Sequence, residues 1–272
     1  MIIEAGFEIT YQCPAPTPML LALKTHPSRQ ADLLTAQTLA FSQQVQPRDY
    51  TDQFGNLCTR IVAPAGSTTI STAFTITDTG LPDPKTPNAQ QHAVQDLPDE
   101  ILVFLLGSRY CDTDRLAEFA WSQFANAPMG WGRVQAICDF VHQHIAFDYM
   151  KADATRTAHG GFTDRQGVCR DFAHLAITLC RCMNIPARYC TGYLGDIGVP
   201  ADPAPMDFSA WFDVYLGGRW HIFDARHNAP RIGRIMMAHG RDATDVALST
   251  SFGAALMTGF TVVTREVVKA QA

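Results

Sequence analysis

Apolar and polar positions change rhythm along this chain, and the change divides it. Ile3, Ala5, Phe7, Ile9 and Tyr11 alternate with polar or small residues, the period of a strand with one buried face. Ile70, Thr72, Phe74 and Ile76 alternate again, and Met19 to Lys24 is an apolar run cut by His26-Pro27. Asp52-Gln53-Phe54-Gly55-Asn56 reads as a turn, with a strand over Leu57 to Val62 leaving it. Residues 1–80 are therefore expected to form an antiparallel β-sandwich-like domain. Pro82, Pro84, Pro87 and Pro98 punctuate the next stretch, so 81–99 is expected to be a linker to a second domain over 100–272.

Beyond the linker the period becomes helical. Leu116, Phe119, Ala120 and Phe124 have helical spacing, as do Trp131, Val134, Cys138, Val141 and Ile145. Residues 151–167 are expected to be a loop leading to a third helix that starts at Cys169. On that helix Val168, Cys169, Phe172, Ala176, Leu179, Cys180 and Met183 share a wide apolar arc, as on a helix largely buried in its domain. Asn184 and Pro186 end it. A strand over Ala187 to Leu194, a loop over 195–207 and a hairpin through Gly217-Gly218 follow. A final strand is expected over Phe260 to Val268.

Composition narrows the function classes. The chain has 272 residues, 47% hydrophobic and 17% charged, with formal net charge −5. There is no Lys/Arg cluster, which argues against nucleic acid as a partner. No apolar run approaches the roughly 18 residues of a membrane span, so no membrane partner is expected. The N-terminus has no basic region or cleavage site, and the cytoplasm is the expected compartment. The eight cysteines are irregularly spaced, as reduced thiols would be. Cys180, Cys182 and Cys190 lack zinc-site spacing, and neither a metal nor a cofactor is expected.

Cys169 carries the candidate chemistry. It opens a helix, where free N–H groups and the dipole favour a thiolate, although a small apolar core residue fits the same place. Across the hairpin, residue 216 should face 219, which would put Ser209, Trp211, Asp224 and Arg226 on one face. Gln166, three residues before Cys169, either builds an oxyanion hole with the Cys169 N–H or caps the helix with Thr163. Arg231, Arg234 and Arg241 with Asp242 and Asp245 read as a solvated, salt-bridged segment, or as a site for an acidic substrate group.

Gly167-Val168-Cys169-Arg170-Asp171-Phe172-Ala173-His174, the Ala210-Trp211 strand, Gly217-Gly218-Arg219-Trp220 and Phe223-Asp224 together resemble the core of the transglutaminase-like superfamily. Tyr50 to Asn56 is similar to the β domain preceding that core in bacterial members. The resemblance implies an α+β, papain-like fold with a Cys-His-Asp triad. Cys169 would be the nucleophile, Asp224 the residue that orients the histidine, and Trp211 a wall of the cleft. The histidine should stand two before Trp211, where this chain has Ser209. Serine neither takes a thiol proton nor returns one to a leaving group at neutral pH.

Among the other histidines, His159 is the first choice of substitute base. His221 points away from Asp224 in this register, His227 lies past the strand unless a bend redirects it, and His174 is expected to be structural. The leading expectation is a cysteine peptidase or amidohydrolase acting on a peptide or isopeptide amide. The alternative is a pseudoenzyme whose cleft binds a peptide or protein.

Overall fold

A computed structural model describes residues 1–267. The strands are β1 (Ile2–Cys13), β2 (Thr17–Leu21), β3 (Ala40–Phe41), β4 (Arg48–Thr51), β5 (Leu57–Ala63) and β6 (Gly66–Thr77), before the short helix α1 (Asp99–Leu102). Then come α2 (Thr113–Phe124), α3 (Trp131–His144), β7 (Ala146–Phe147), α4 (Ala158–Asp164), β8 (Gln166–Gly167) and α5 (Cys169–Cys182). The chain continues with β9 (Ala187–Tyr193), β10 (Ser209–Leu216), β11 (Arg219–Phe223), β12 (Ile235–Gly240), β13 (Ser249–Ser251) and β14 (Leu256–Glu266). The architecture is α+β.

Three antiparallel sheets hold most of these strands, in the orders β14-β1-β6-β3, β13-β2-β5-β4 and β11-β10-β9-β12. The alternating residues of β1 are all buried: Ile3, Ala5, Phe7, Ile9 and Tyr11. They join Met19, Leu21, Ile61, Ile70, Phe74 and Ile76 in one core. Tyr193, Phe208, Ile235 and Met237, from the ends of the third sheet, enter that same core. The C-terminal strands return to the first sheets: β14 pairs with β1 from Ile3↔Glu266 to Gln12↔Leu256, and β13 pairs with β2. The final strand thus starts earlier than expected, and Val268 lies outside the described residues.

In the second core, α5 lies on β9 and β10, with α2 and α3 beside it. Every residue of α5 from Asp171 to Cys182 is buried, its polar arc included. Most of those polar groups find partners from other parts of the chain, while Asp171 Oδ1 and His174 Nδ1 have none among the described residues. His174 stacks on Tyr110 with ring centroids 4.9 Å apart and accepts the Ala243 N–H. Arg181 donates to the carbonyls of Leu106, Ala187 and Arg241. His174 is structural, as expected. Asn184, at φ 61°, takes the left-handed turn that ends the helix.

Two expectations need correction. Residues 151–167 are not all loop: Thr157 caps α4 by accepting the Gly160 N–H, and Gln166-Gly167 pair in parallel with Ala146-Phe147. Arg231 and Arg234 are buried, at 7% and 6% exposure, because carboxylates and carbonyls of the folded chain replace their water. Arg241 does form the expected ion pair, with Asp245. Among the described residues no helix is long and apolar enough to cross a membrane.

Candidate active site

Gly167 and Asp171 set the position of the thiol. Asp171 Oδ2 accepts the Val168 N–H at 2.8 Å and the Arg156 Nη1–H at 3.2 Å, which fixes the first turn of α5. A Cβ on Gly167 would lie 2.4 Å from that oxygen, so only glycine lets the loop pass so close. Cys169 follows, half-buried and unpaired. Burial pushes its thiol up to about 11, outweighing the Arg226 guanidinium and the Ala210 N–H, which favour the thiolate; Asp207 and Asp224 oppose it. Desolvation thus outweighs the neighbouring groups that favour the thiolate.

The Ala210 N–H reaches Cys169, so Ser209 lies beside the thiol at the first position of β10. Cys169 and Ser209 together line two cavities. One, of about 450 Å³, is walled by Asp196, Asp207, Arg226, His227 and Arg231. The other, of about 670 Å³, is walled by Tyr110, Tyr189, Ala210, Val246 and Leu248. The Ser209 side chain makes no hydrogen bond among the described residues; its backbone carbonyl accepts from Thr191 Oγ1.

The hairpin has the expected register, Leu216↔Arg219 through Phe212↔Phe223, with Gly217 and Gly218 at φ 57° and 82°. It does not continue to Asp224 and Arg226, because β11 ends at Phe223 and the chain turns. Asp224 O accepts the Asn228 N–H, Asp224 Oδ1 accepts the His227 N–H at 3.0 Å, and Asn228 adopts φ 49°. Helix α3 clamps the turn: Gln135 donates to Asn228, Asn228 donates to Asp139, and His142 Nδ1 meets the Arg226 carbonyl at 2.9 Å. The turn swings His227 back, so that Nδ1 meets Asp224 Oδ2 at 2.8 Å.

Asp224 is buried, and burial alone would raise its pKa. The Arg234 guanidinium, at 2.8 Å, and His227 outweigh burial and hold it well below the usual carboxylate range. An ionised Asp224 accepts the Nδ1–H of His227, which leaves Nε2 as the basic nitrogen. Arg234 in turn donates to Asp83 at 2.9 Å, so the expected linker is fastened to the site.

The other sequence candidates lie elsewhere. His159 is in α4, its N–H donated to Asp112 and its carbonyl accepting from Thr163, and it lines neither cavity. Gln166 lines neither cavity, and the α5 cap is made by Asp171 rather than by Gln166 with Thr163. Trp211 is buried with the Arg234 guanidinium 5.0 Å over its ring, away from both cavities. His221 is buried, bonds the Leu216 carbonyl and lines neither cavity. Sequence reasoning missed Asp83, put Arg226 on a strand face rather than in a turn, and read Arg234 as part of a solvated segment or an acidic-group site rather than as the buried partner of Asp224. The available signal was Asp224-Ala225-Arg226-His227-Asn228, a turn-forming pair of Asp and Asn directly after an apolar strand.

Residues 118–225 match the family described as the Transglutaminase-like superfamily. A solved structure from Cytophaga hutchinsonii, of a proposed cysteine protease, is 30% identical, with TM-score 0.84, and the alignment covers 100% of this chain and 92% of that one. A curated, uncharacterized protein of Mycobacterium leprae (strain TN) is 38% identical over 84 residues, which is 30% of this chain and 30% of that protein. The chain belongs to the transglutaminase-like superfamily.

Proposed function

We propose that the protein is a thiol-dependent amide hydrolase acting on a peptide or isopeptide bond, with His227 as its base in place of residue 209. The observation that carries this reading is the shared cavity: Cys169 and His227 line it together, and Asp224 holds Nδ1 of His227. The thiol is protonated at rest, so the base acts as the sulfur attacks.

Cys169 Sγ bonds to the substrate carbonyl carbon while its proton passes to His227 Nε2. The C–N bond then breaks, the amine leaves with that proton, and a thioester remains. Water, deprotonated by His227, attacks the thioester carbon; the C–S bond breaks, and the proton returns to sulfur as the acid leaves. Asp224 and Arg234 are positioning residues for His227, and Ser209 occupies space beside the thiol. The relative from Cytophaga hutchinsonii, described as a proposed cysteine protease, supports the same class.

Acetylation by p-nitrophenyl acetate, followed by intact mass, tests the reading without a known substrate. An acetyl group is expected on Cys169 and should discharge. Discharge should slow about 10²–10⁴-fold in His227→Ala and be unaffected in His159→Ala. Equal discharge in His227→Ala would overturn the assignment of the base. The second reading, a pseudoenzyme cleft, is favoured by the raised Cys169 thiol and by Ser209. It predicts no acetylation, or an acetyl group that persists.

A further inference from the structure

The charged groups of the smaller cavity are unequally matched. Asp196 lies 3.5 Å from Arg231 Nη2 and accepts the Asp202 N–H. Asp202 accepts the Ala204 N–H, Asp207 accepts the Phe208 N–H, and His227 holds Asp224. Arg226 is different. Its guanidinium lies 3.8 Å over the Phe147 ring and makes no hydrogen bond or ion pair among the described residues. Arg231 is 7% exposed, donates through Nη2 to the Gly195 carbonyl, and has no partner for its buried Nε or for Nη1 among the described residues. Two arginines with unused donors thus line a cavity of about 450 Å³ that opens onto the thiol. Planar guanidinium groups with free donors suit a carboxylate.

The side of the thiol on which they lie decides what that carboxylate belongs to. His227, the group that returns a proton to the departing amine, lines this cavity and not the larger one. The larger cavity has Tyr189, Ala210, Val246 and Leu248 along it and suits an apolar acyl portion. Resting on the hydrolase reading above, we infer that Arg226 and Arg231 form a carboxylate subsite for the leaving amine. The amide cleaved is then one whose amine portion carries a free carboxylate close to the scissile bond, as at the C-terminal end of a peptide.

Two probes separate this subsite from the chemistry. The first compares alkylation of Cys169 by iodoacetate and by iodoacetamide, with the site read by mass spectrometry. Both reagents meet the same thiolate, so their rate ratio is independent of thiol ionisation and reports recognition of the carboxylate. The ratio should exceed that of a free small thiol, with iodoacetate saturating, and should fall about tenfold or more in Arg226→Gln, the loss of a charge-assisted bond. A ratio equal to that of a free thiol and unchanged in Arg226→Gln overturns the subsite, whatever becomes of the hydrolase reading.

The second probe is calorimetry on Cys169→Ala with glycylglycine and glycylglycinamide. The acid should bind more tightly than the amide, and Arg226→Gln and Arg231→Gln should each remove the difference. Equal binding of the two overturns the subsite. Preference for the acid, in a protein whose Cys169 is never acetylated, keeps the subsite and sinks the hydrolase.

Discussion

Arg234→Met tests the network that holds His227. Arg234 is buried against two carboxylates, Asp83 Oδ2 at 2.9 Å and Asp224 Oδ2 at 2.8 Å, with side-chain exposures of 4% for Arg234 and 3% for Asp224. Methionine keeps much of the packing but leaves Asp224 charged, buried and supported only by His227. Breaking a buried pair in this way typically costs about 3–5 kcal/mol, mostly from the stranded charge. Asp224→Asn in the same background removes that charge, so the double variant should recover at least about 1.5 kcal/mol relative to the sum of the singles.

The pH dependence has a definite sign. Asp224 is depressed in the folded state, so its stabilisation is present above its unfolded value of about 3.9 and is lost as pH falls through the folded one. In Arg234→Met that advantage is gone. The stability gap from wild type should therefore narrow as pH falls toward about 4 and the stranded carboxyl takes up a proton. Urea midpoints for the four proteins measure all of this. A cost below about 1 kcal/mol for Arg234→Met, or strict additivity in the cycle, would refute the reasoning.

Other consequences are equally direct. Gly167→Ala places a Cβ 2.4 Å from Asp171 Oδ2, so it should destabilise by about 1–3 kcal/mol in urea unfolding and slow Cys169 acetylation by displacing the first turn of α5. Ser209→Ala, which removes no hydrogen bond among the described residues, should change acetyl discharge by no more than about twofold in the same mass assay. His239 is held down to about 3 by burial, with Arg188 and His26 nearby. Below its unfolded value of about 6.5 the unfolded chain carries a proton that the folded chain lacks, so stability should fall with pH by up to about 1.4 kcal/mol per unit. Urea midpoints at about pH 7.5 and 5.5 should show this loss, reduced in His239→Gln.

How much was legible in the sequence depended on how local the determining interaction is. The alternation in β1 and β6, the helical spacing of α2, α3 and α5, and the Gly217-Gly218 register all rest on neighbours in sequence, and each was readable. Placing Cys169 at a helix start was readable for the same reason. The depth of α5 was only partly so, because the burial of Asp171, His174 and Arg181 depends on carbonyls and rings brought in from residues 106–110 and 241–243. The same holds for Arg234, whose partners include Asp83, 151 residues away. The expected face of Ser209, Trp211, Asp224 and Arg226 fails for a local reason: it needs the register to continue three residues past Phe223, into the turn that Asp224 and Asn228 make. That turn removes Asp224 from the side of Ser209 and brings His227 in. The place of His159 is not readable from sequence because the path of residues 151–167 depends on α4, which holds it outside both cavities that Cys169 lines.

The central claim is that the base serving Cys169 is His227, held by Asp224, and not a residue at position 209. The rate of Cys169 alkylation by iodoacetamide from about pH 5 to 10, in wild type, His227→Ala and Ser209→His, tests it most directly. The account predicts that the wild-type thiol is alkylated faster at neutral pH than the thiol of His227→Ala, whose rate should rise only toward the thiol's own value of about 11. Superimposable profiles for wild type and His227→Ala, with a faster neutral-pH rate appearing only in Ser209→His, would contradict it.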